Sequence, residues 1–109
     1  MKFSTSKEEL LKAIQTVQAA ISAKSSLPIL SNMLIEATET STALTATDFE
    51  IGIIANTPIK AQTPGAITVP AKKFSDVIRE LPPQEPIIIS VKKNNLVNIE
   101  CGRSAFKMM

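Results

Sequence analysis

The sequence predicts an α+β domain in which two amphipathic helices pack on one face of largely antiparallel sheet. Two segments carry apolar residues at helical spacing, while the segments around them are short, rich in β-branched residues and bounded by turn residues. The 109 residues suit one domain, and fourteen of them are isoleucine, whereas tryptophan and tyrosine are absent. A core of aliphatic β-branched side chains favours strands as the larger part of the fold.

The first half of the chain predicts a strand, a helix and three further strands. Residues 1–5 alternate as a short strand, and Ser6 and Glu9 then have the spacing of a capping box at a helix start. The helix is predicted to run to about Ser22, with an apolar stripe formed by Leu10, Ile14, Val17 and Ile21. The strands that follow are predicted over residues 29–37, 42–47 and 49–57.

The second half predicts the same order again. Pro58 and Pro64 punctuate the segment before a strand over residues 66–69. A helix follows with Pro70 near its first position, and Pro82 ends it. Its core-facing residues are predicted to be Phe74, Val77, Ile78 and Leu81. Three strands follow, from residue 87, over 96–100 and over 104–109, with turns at 93–95 and 102–103. The repeated order indicates one unit used twice.

Catalytic and metal chemistry have little support. The chain has no histidine, which excludes Ser-His-Asp and Cys-His catalytic pairs and histidine metal ligands. Its lone cysteine, Cys101, excludes an internal disulfide and is interpreted as a small packing residue. Helix capping explains Glu8-Glu9, and solvated hairpin charge explains Asp48 and Glu50. We therefore expect no enzyme activity and no cofactor, and, since no signal or membrane-spanning run is present, a cytoplasmic protein.

Charge is distributed unevenly along the chain. Residues 25–59 contain four acids and no lysine or arginine, whereas the remainder carries 12 basic and 6 acidic residues. This distribution predicts one negative and one positive side, although solvated faces of unequal sign would give the same pattern.

The first turn of the second helix contains Lys72 and Lys73, where the helix dipole favours negative charge. Lys72 and Arg79 are seven residues apart and fall together opposite the core face, whereas Lys73 falls on a flank. Local ion pairs with Asp76 and Glu80 would offset part of the dipole cost. The functional alternative is a face that contacts an anionic nucleic-acid backbone through Lys12, Lys24, Lys72 and Arg79.

Six short motifs, in the same order, resemble the N-terminal domain of the bacterial DNA polymerase III beta subunit, the sliding-clamp family, and the resemblance extends over essentially the whole chain. The motifs are Met1-Lys2-Phe3, Leu10-Leu11-Lys12, Leu27-Pro28-Ile29-Leu30-Ser31-Asn32, Thr45-Ala46-Thr47-Asp48-Phe49-Glu50, Val69-Pro70-Ala71-Lys72-Lys73-Phe74 and Cys101-Gly102-Arg103-Ser104-Ala105-Phe106. Each motif alone is weak, and their common register makes the resemblance specific.

The resemblance implies a DNA-clamp fold and a non-catalytic role. The family builds a head-to-tail ring from two subunits of three such domains each, with helices lining a channel for double-stranded DNA. The ring confers processivity on the replicative polymerase and binds DNA without sequence specificity. Residues 1–109 would be the N-terminal domain of such a chain, without its second and third domains. Because the family's peptide groove lies between those two domains, polymerase and clamp loader would not bind through a groove of this domain.

The resemblance also implies roles for particular residues. Lys24 falls on a loop that reaches DNA, and Lys72 and Arg79 fall on the channel face. The edge that meets the second clamp subunit would be formed by Lys73, Arg103 and Phe106. The alternative reading of the chain is a stand-alone α+β protein-interaction module that binds its partner through the exposed last strand.

Overall fold

The computed structural model describes residues 1–18, 32–47 and 52–108, and nine strands and two helices lie within them. In chain order these are β1 (Lys2–Thr5), α1 (Lys7–Gln18), β2 (Asn32–Ala37), β3 (Thr42–Thr47), β4 (Gly52–Thr57), β5 (Ala61–Thr63), β6 (Gly65–Pro70), α2 (Ala71–Glu80), β7 (Ile87–Val91), β8 (Val97–Cys101) and β9 (Ser104–Met108). The predicted α+β class is confirmed. The predicted end of the first helix, the starts of the strands at 29 and 49, and residue 109 lie outside the described residues.

The strands form two antiparallel sheets that join the halves of the chain. The five-stranded sheet has the order β5-β1-β7-β8-β9, and the four-stranded sheet has the order β4-β3-β2-β6. β1 therefore pairs with β7 of the second half, and β6 pairs with β2 of the first half. Because each half gives its first strand to the other half's sheet, the two units make one domain.

Alternation of side chains places one face of each sheet in the core. In β2, Met33 and Ile35 are buried, whereas Asn32 and Glu36 are exposed. Left-handed backbone closes the two hairpins of the second half, at Asn95 with φ 62° and at Gly102 with φ 58°. Asparagine and glycine adopt this conformation most readily, so the predicted turns at these positions are confirmed.

Strand β5 was not predicted, because it has three residues and lies between two prolines. It forms through pairing with β1, where Phe3 stands opposite Ala61. The segment that leads to it is fixed by the Thr42 hydroxyl, which donates to the Ile59 carbonyl at 2.8 Å. The Ala61 amide also donates to the Thr38 carbonyl at 2.8 Å. Tertiary contacts, rather than local propensity, therefore make this strand.

The helices pack differently from one another. Helix α1 packs against α2, β3 and β4, whereas α2 packs mainly against α1 and the end of β6. The described part of the predicted α1 stripe is buried, together with Ala13. In α2 and at its C-cap, Phe74, Ile78 and Leu81 are buried and Val77 is half-buried against the core, so the predicted core face is confirmed. Ser75 is buried in addition. The buried side of α2 is centred on Phe74 and Ile78, which leaves Val77 at its border.

Candidate nucleic-acid interface

The start of α2 lacks the features that normally stabilise a helix N-terminus. Pro70 is the N-cap residue, with φ −63° and ψ 117°, and makes no side-chain capping bond. The first turn contains no acidic residue, and both of its lysines, Lys72 and Lys73, are exposed. The positive end of the helix dipole therefore coincides with two cationic side chains.

Helix α1 begins in the opposite way. The Ser6 hydroxyl accepts a hydrogen bond from the Glu9 amide at 3.2 Å, and the first turn carries Glu8 and Glu9. Both features are favourable at a helix start, so half of the predicted capping box is confirmed. The first turn of α1 also contains a cation, Lys7, but it is accompanied by a cap and two acids that α2 lacks.

Three of the four predicted phosphate-binding residues lie on the exposed sides of the two helices. Lys72 and Arg79 are both exposed and share one side of α2, and Lys12 is exposed on α1. Arg79 lies in the last turn, where the dipole favours a cation, so helix stability alone accounts for it. The dipole gives no such explanation for Lys72. The fourth residue, Lys24, lies outside the described residues.

Lys7 connects the two helices and was not identified from the sequence. Its ammonium nitrogen, Nζ, donates to the carbonyl of Arg79 at 2.7 Å and to the carbonyl of Leu81 at 2.8 Å. These carbonyls belong to the end of α2, where a cation also complements the dipole. Lys7 thereby holds the turn that carries Arg79 against the start of α1. The contact spans more than seventy residues of sequence, so no local pattern reveals it.

A second pair of cations lies on the face of the five-stranded sheet that points away from the core. Register places Lys2 opposite Ser90, Ser90 opposite Asn98 and Asn98 opposite Lys107. Lys2 and Lys107 are exposed and alternate with core-facing residues of their strands. Positive charge is therefore not confined to the helices, and this row offers an internal comparison for any test of DNA binding.

The three residues assigned to the subunit edge occupy exposed positions. Lys73 lies in the first turn of α2, and Arg103 lies in the turn between β8 and β9. Phe106 lies on β9, opposite the fully buried Ile99, yet 37% of its surface is exposed. β9 is the last strand of the five-stranded sheet among the described residues, and this aromatic ring is only partly covered.

Cys101 is a core residue, as predicted. Burial raises the pKa of its thiol, the Glu85 carboxylate raises it further, and the Lys7 ammonium opposes both. The sulfur lies 3.6 Å from the carbonyl oxygens of Pro82 and Glu85. Such a thiol stays protonated at neutral pH and is a poor nucleophile.

The described residues hold neither a metal-binding cluster nor a membrane-spanning helix. Within residues 1–18, 32–47 and 52–108, no three His, Cys, Asp or Glu side chains are grouped so that they could hold a metal ion. Neither described helix is long and apolar enough to cross a membrane.

Comparison with known proteins decides the family. The sequence model described as DNA polymerase III beta subunit, N-terminal domain, matches residues 1–109. The chain belongs to this family. It is similar to the beta sliding clamp of Escherichia coli strain K12, with 36% identity over 99% of this chain and 30% of that protein. It is also similar to the beta sliding clamp of Vibrio harveyi, with 35% identity over 99% of this chain and 74% of that sequence.

Solved beta-subunit structures have the same fold. The beta subunit of Streptococcus pyogenes superimposes with a TM-score of 0.93 and 31% identity, over 99% of this chain and 29% of that chain. The beta subunit of Pseudomonas aeruginosa gives a TM-score of 0.89 and 35% identity, over 98% of this chain and 29% of that chain. The predicted clamp fold is therefore confirmed, and the family is one of sliding clamps rather than enzymes. This chain spans about 30% of the length of the Escherichia coli relative.

Proposed function

We propose that residues 1–109 form the N-terminal domain of a ring-shaped sliding clamp that encircles duplex DNA in the cytoplasm. The ring would confer processivity on the replicative polymerase and would bind DNA without sequence specificity. Family membership over residues 1–109 supports the clamp assignment. The observation that carries the DNA-facing surface is Lys72, an exposed cation in a helix turn where the dipole disfavours it.

The proposed contact is weak, because a clamp must slide. Lys12, Lys72 and Arg79 would each approach phosphate oxygens without contacting base edges, which gives no sequence preference. Every phosphate neutralised adds about 0.9 to the log–log salt slope of binding. Lys24 is proposed to add a fourth contact. A few such contacts hold DNA loosely, and closure of the ring would supply persistence.

The subunit edge is proposed to be β9 and its surroundings. Phe106 would fill an apolar contact on the second clamp subunit, while Lys73 and Arg103 would pair with acidic side chains there. Partial exposure of the Phe106 ring on an open edge strand supports this role. Polymerase and clamp loader would bind the intact clamp through domains other than this one.

The DNA-facing assignment is tested by removing two charges from either side of the domain. We expect Lys72→Gln with Arg79→Gln to weaken duplex binding several-fold at low salt and to lower the salt slope by about 0.9 for each phosphate that is no longer neutralised. Lys2→Gln with Lys107→Gln changes net charge equally and should bind as the parent does. If both double variants weaken binding to the same extent, binding reflects net charge alone and the helix assignment is wrong.

A second candidate function is a protein-interaction module that uses β9 as an edge strand. Exposure of Phe106 favours it, independently of the lysines. Mixing this chain with the third domain of a related clamp distinguishes the ring edge from a general protein-interaction module. Association that Phe106→Ala abolishes supports the ring edge, whereas no association, or association that the variant leaves unchanged, contradicts it.

A further inference from the structure

The two halves of the domain are related position by position. Thr5 stands opposite Ile87 and Phe3 opposite Ile89 in the β1–β7 ladder. Val69 stands opposite Met33 and Ile67 opposite Ile35 in the β6–β2 ladder. The helices begin two residues after Thr5 and two residues after Val69. β6 is thus the counterpart of β1, and Ile67 is the counterpart of Phe3.

β1 is paired along both of its edges. One edge bonds β7, and the other bonds β5, which follows β4 after three residues. The connecting segment is held at Ile59, whose carbonyl accepts from the Thr42 hydroxyl at 2.8 Å and whose amide donates to the Thr57 hydroxyl at 3.4 Å. With β5 in place, the Phe3 side chain is fully buried.

β6 is paired along one edge only, as far as the described residues show, because it forms the end of the four-stranded sheet beyond β2. A groove of about 310 Å³ lies along it. Ile67 is half-buried there, whereas its counterpart Phe3 is fully enclosed. The groove is lined by Ala66, Ile67, Thr68, Val69, Pro70, Asn95, Val97 and Met108.

Two residues that line this groove, Val97 and Met108, correspond in position to the two residues that bond the segment before β5. Val97 stands opposite Met108 in the β8–β9 ladder, as Thr42 stands opposite Thr57 in the β3–β4 ladder. Thr42 and Thr57 are the two hydroxyl residues that bind the segment before β5. At the matching positions the groove has two apolar side chains instead. The groove is therefore where a counterpart of β5 would lie. Its lining is apolar at the two positions where the first site has hydroxyl groups.

We propose that the groove along β6 takes an extended polypeptide segment as an additional antiparallel strand, and that this segment continues from β9 as β5 continues from β4. Met108 is the last described residue of β9 and itself lines the groove, so chain that continues from it starts at the site. Relatives about three times as long have residues to supply it. The inference goes beyond the proposed clamp function and does not depend on DNA binding.

The chemistry of the groove defines the segment. Free backbone groups of a strand edge select an extended chain by hydrogen bonding, and the flanking side chains select its residues. Ile59 is buried at the other site, and an apolar side chain is expected at its counterpart because Val97 and Met108 line the groove. A small side chain is expected at the position that corresponds to Ala61, which packs against the strand at the other site.

The test uses residues 1–108 of this chain followed, in place of Met109, by a seven-residue segment that copies residues 58–64. We expect amide hydrogen exchange in residues 66–69 to slow at least ten-fold relative to the parent, at those amides that do not bond β2. The matched control is the same extension with its isoleucine changed to aspartate, which should leave exchange at the parent rate because a charge would face Val97 and Met108. Equal protection by both extensions would overturn the side-chain part of the proposal.

Two further outcomes test the location of the site and the identity of the segment that fills it. Unchanged exchange in β6 with the extension present, or protection confined to β4 or β9, would overturn the site. Protection of β6 in the unextended parent that disappears on dilution would show that a second copy fills the groove, which would overturn the proposed occupant. Met108→Asp in the extended chain should abolish the protection, and thermal unfolding of the same variant without the extension controls for loss of the fold.

Discussion

At the scale of single residues, the two helix starts provide a comparison within one molecule. α1 has a side-chain cap and two acids in its first turn, whereas α2 has neither and carries Lys72 and Lys73. Each misplaced charge costs about 0.3–1 kcal/mol at an exposed helix start. A domain with roughly 5–15 kcal/mol of stability tolerates that cost where the lysines serve binding.

Neutralising both lysines should therefore stabilise the domain. We expect Lys72→Gln with Lys73→Gln to raise the free energy of unfolding by about 0.5–1 kcal/mol, because glutamine has a similar helix propensity and no charge to oppose the dipole. Urea unfolding measures the change. A fall in stability would instead favour the local ion pairs with Asp76 and Glu80, and Lys12→Gln, in the middle of α1, controls for the loss of a positive charge elsewhere.

The buried thiol predicts a pH dependence at the same scale. Because its pKa is raised above the ordinary value of 9.0, the folded state holds the Cys101 proton more tightly than the unfolded state does. The protonated thiol therefore contributes fully to stability at pH values below the unfolded-state pKa of Cys101. This contribution is lost as pH rises through the folded-state pKa. The stability difference between the parent and Cys101→Ala should therefore be constant near pH 7 and should shrink above pH 9. A difference that grows with pH would contradict the raised pKa.

At the scale of elements, Lys7 links the start of α1 to the end of α2. Its two charge-assisted bonds occupy carbonyls at the end of α2 that the helix itself leaves without partners. The same bonds fix the backbone of Arg79, one of the proposed DNA-facing residues. Helix packing and the candidate site therefore share a residue.

Replacing Lys7 should cost stability beyond the loss of a surface charge. We expect Lys7→Met to lower the free energy of unfolding by about 1–2 kcal/mol, less than two fully buried charged bonds would give, because the side chain is half-exposed. Thermal unfolding should then shift down by roughly 4–8 °C per kcal/mol. Lys12→Met, exposed on the same helix, should change the midpoint little, and equal shifts in the two variants would contradict a capping role.

Most helices and strands were predicted because short stretches of sequence are enough to specify them. Helical periodicity predicted α1 and α2, and turn residues such as Asn95 and Gly102 predicted the hairpins of the second half. β5 could not be predicted, since only its pairing with β1 makes it a strand. The helical wheel placed Val77 on the core side, where it packs half-buried, but it did not predict the burial of Ser75.

Local spacing in the sequence also predicted part of the candidate site. Exposure of Lys72 and Arg79 on one face follows from helical spacing alone, and the structure agrees. The bonds made by Lys7, and the rival lysines on the sheet, depend on contacts between distant segments. Lys24 lies outside the described residues, and its role stays a prediction.

At the scale of the whole molecule, the exchange of first strands between halves leaves a helix layer on one side and exposed sheet on the other. Cations occur on both sides, so net charge does not decide which side meets DNA. Lys12, Lys72 and Arg79 lie on the helices, and Lys2 and Lys107 on the sheet. The clamp proposal requires that the helix side bind, because helices line the channel of such a ring.

The most direct test is a titration of the isotopically labelled domain with a short duplex at low salt, followed residue by residue by NMR. The clamp proposal predicts amide shift changes that cluster around Lys12, Lys72 and Arg79, decline with added salt and are similar for duplexes of unrelated sequence. Changes centred on Lys2 and Lys107, or spread evenly over both sides, would contradict a DNA-facing helix layer.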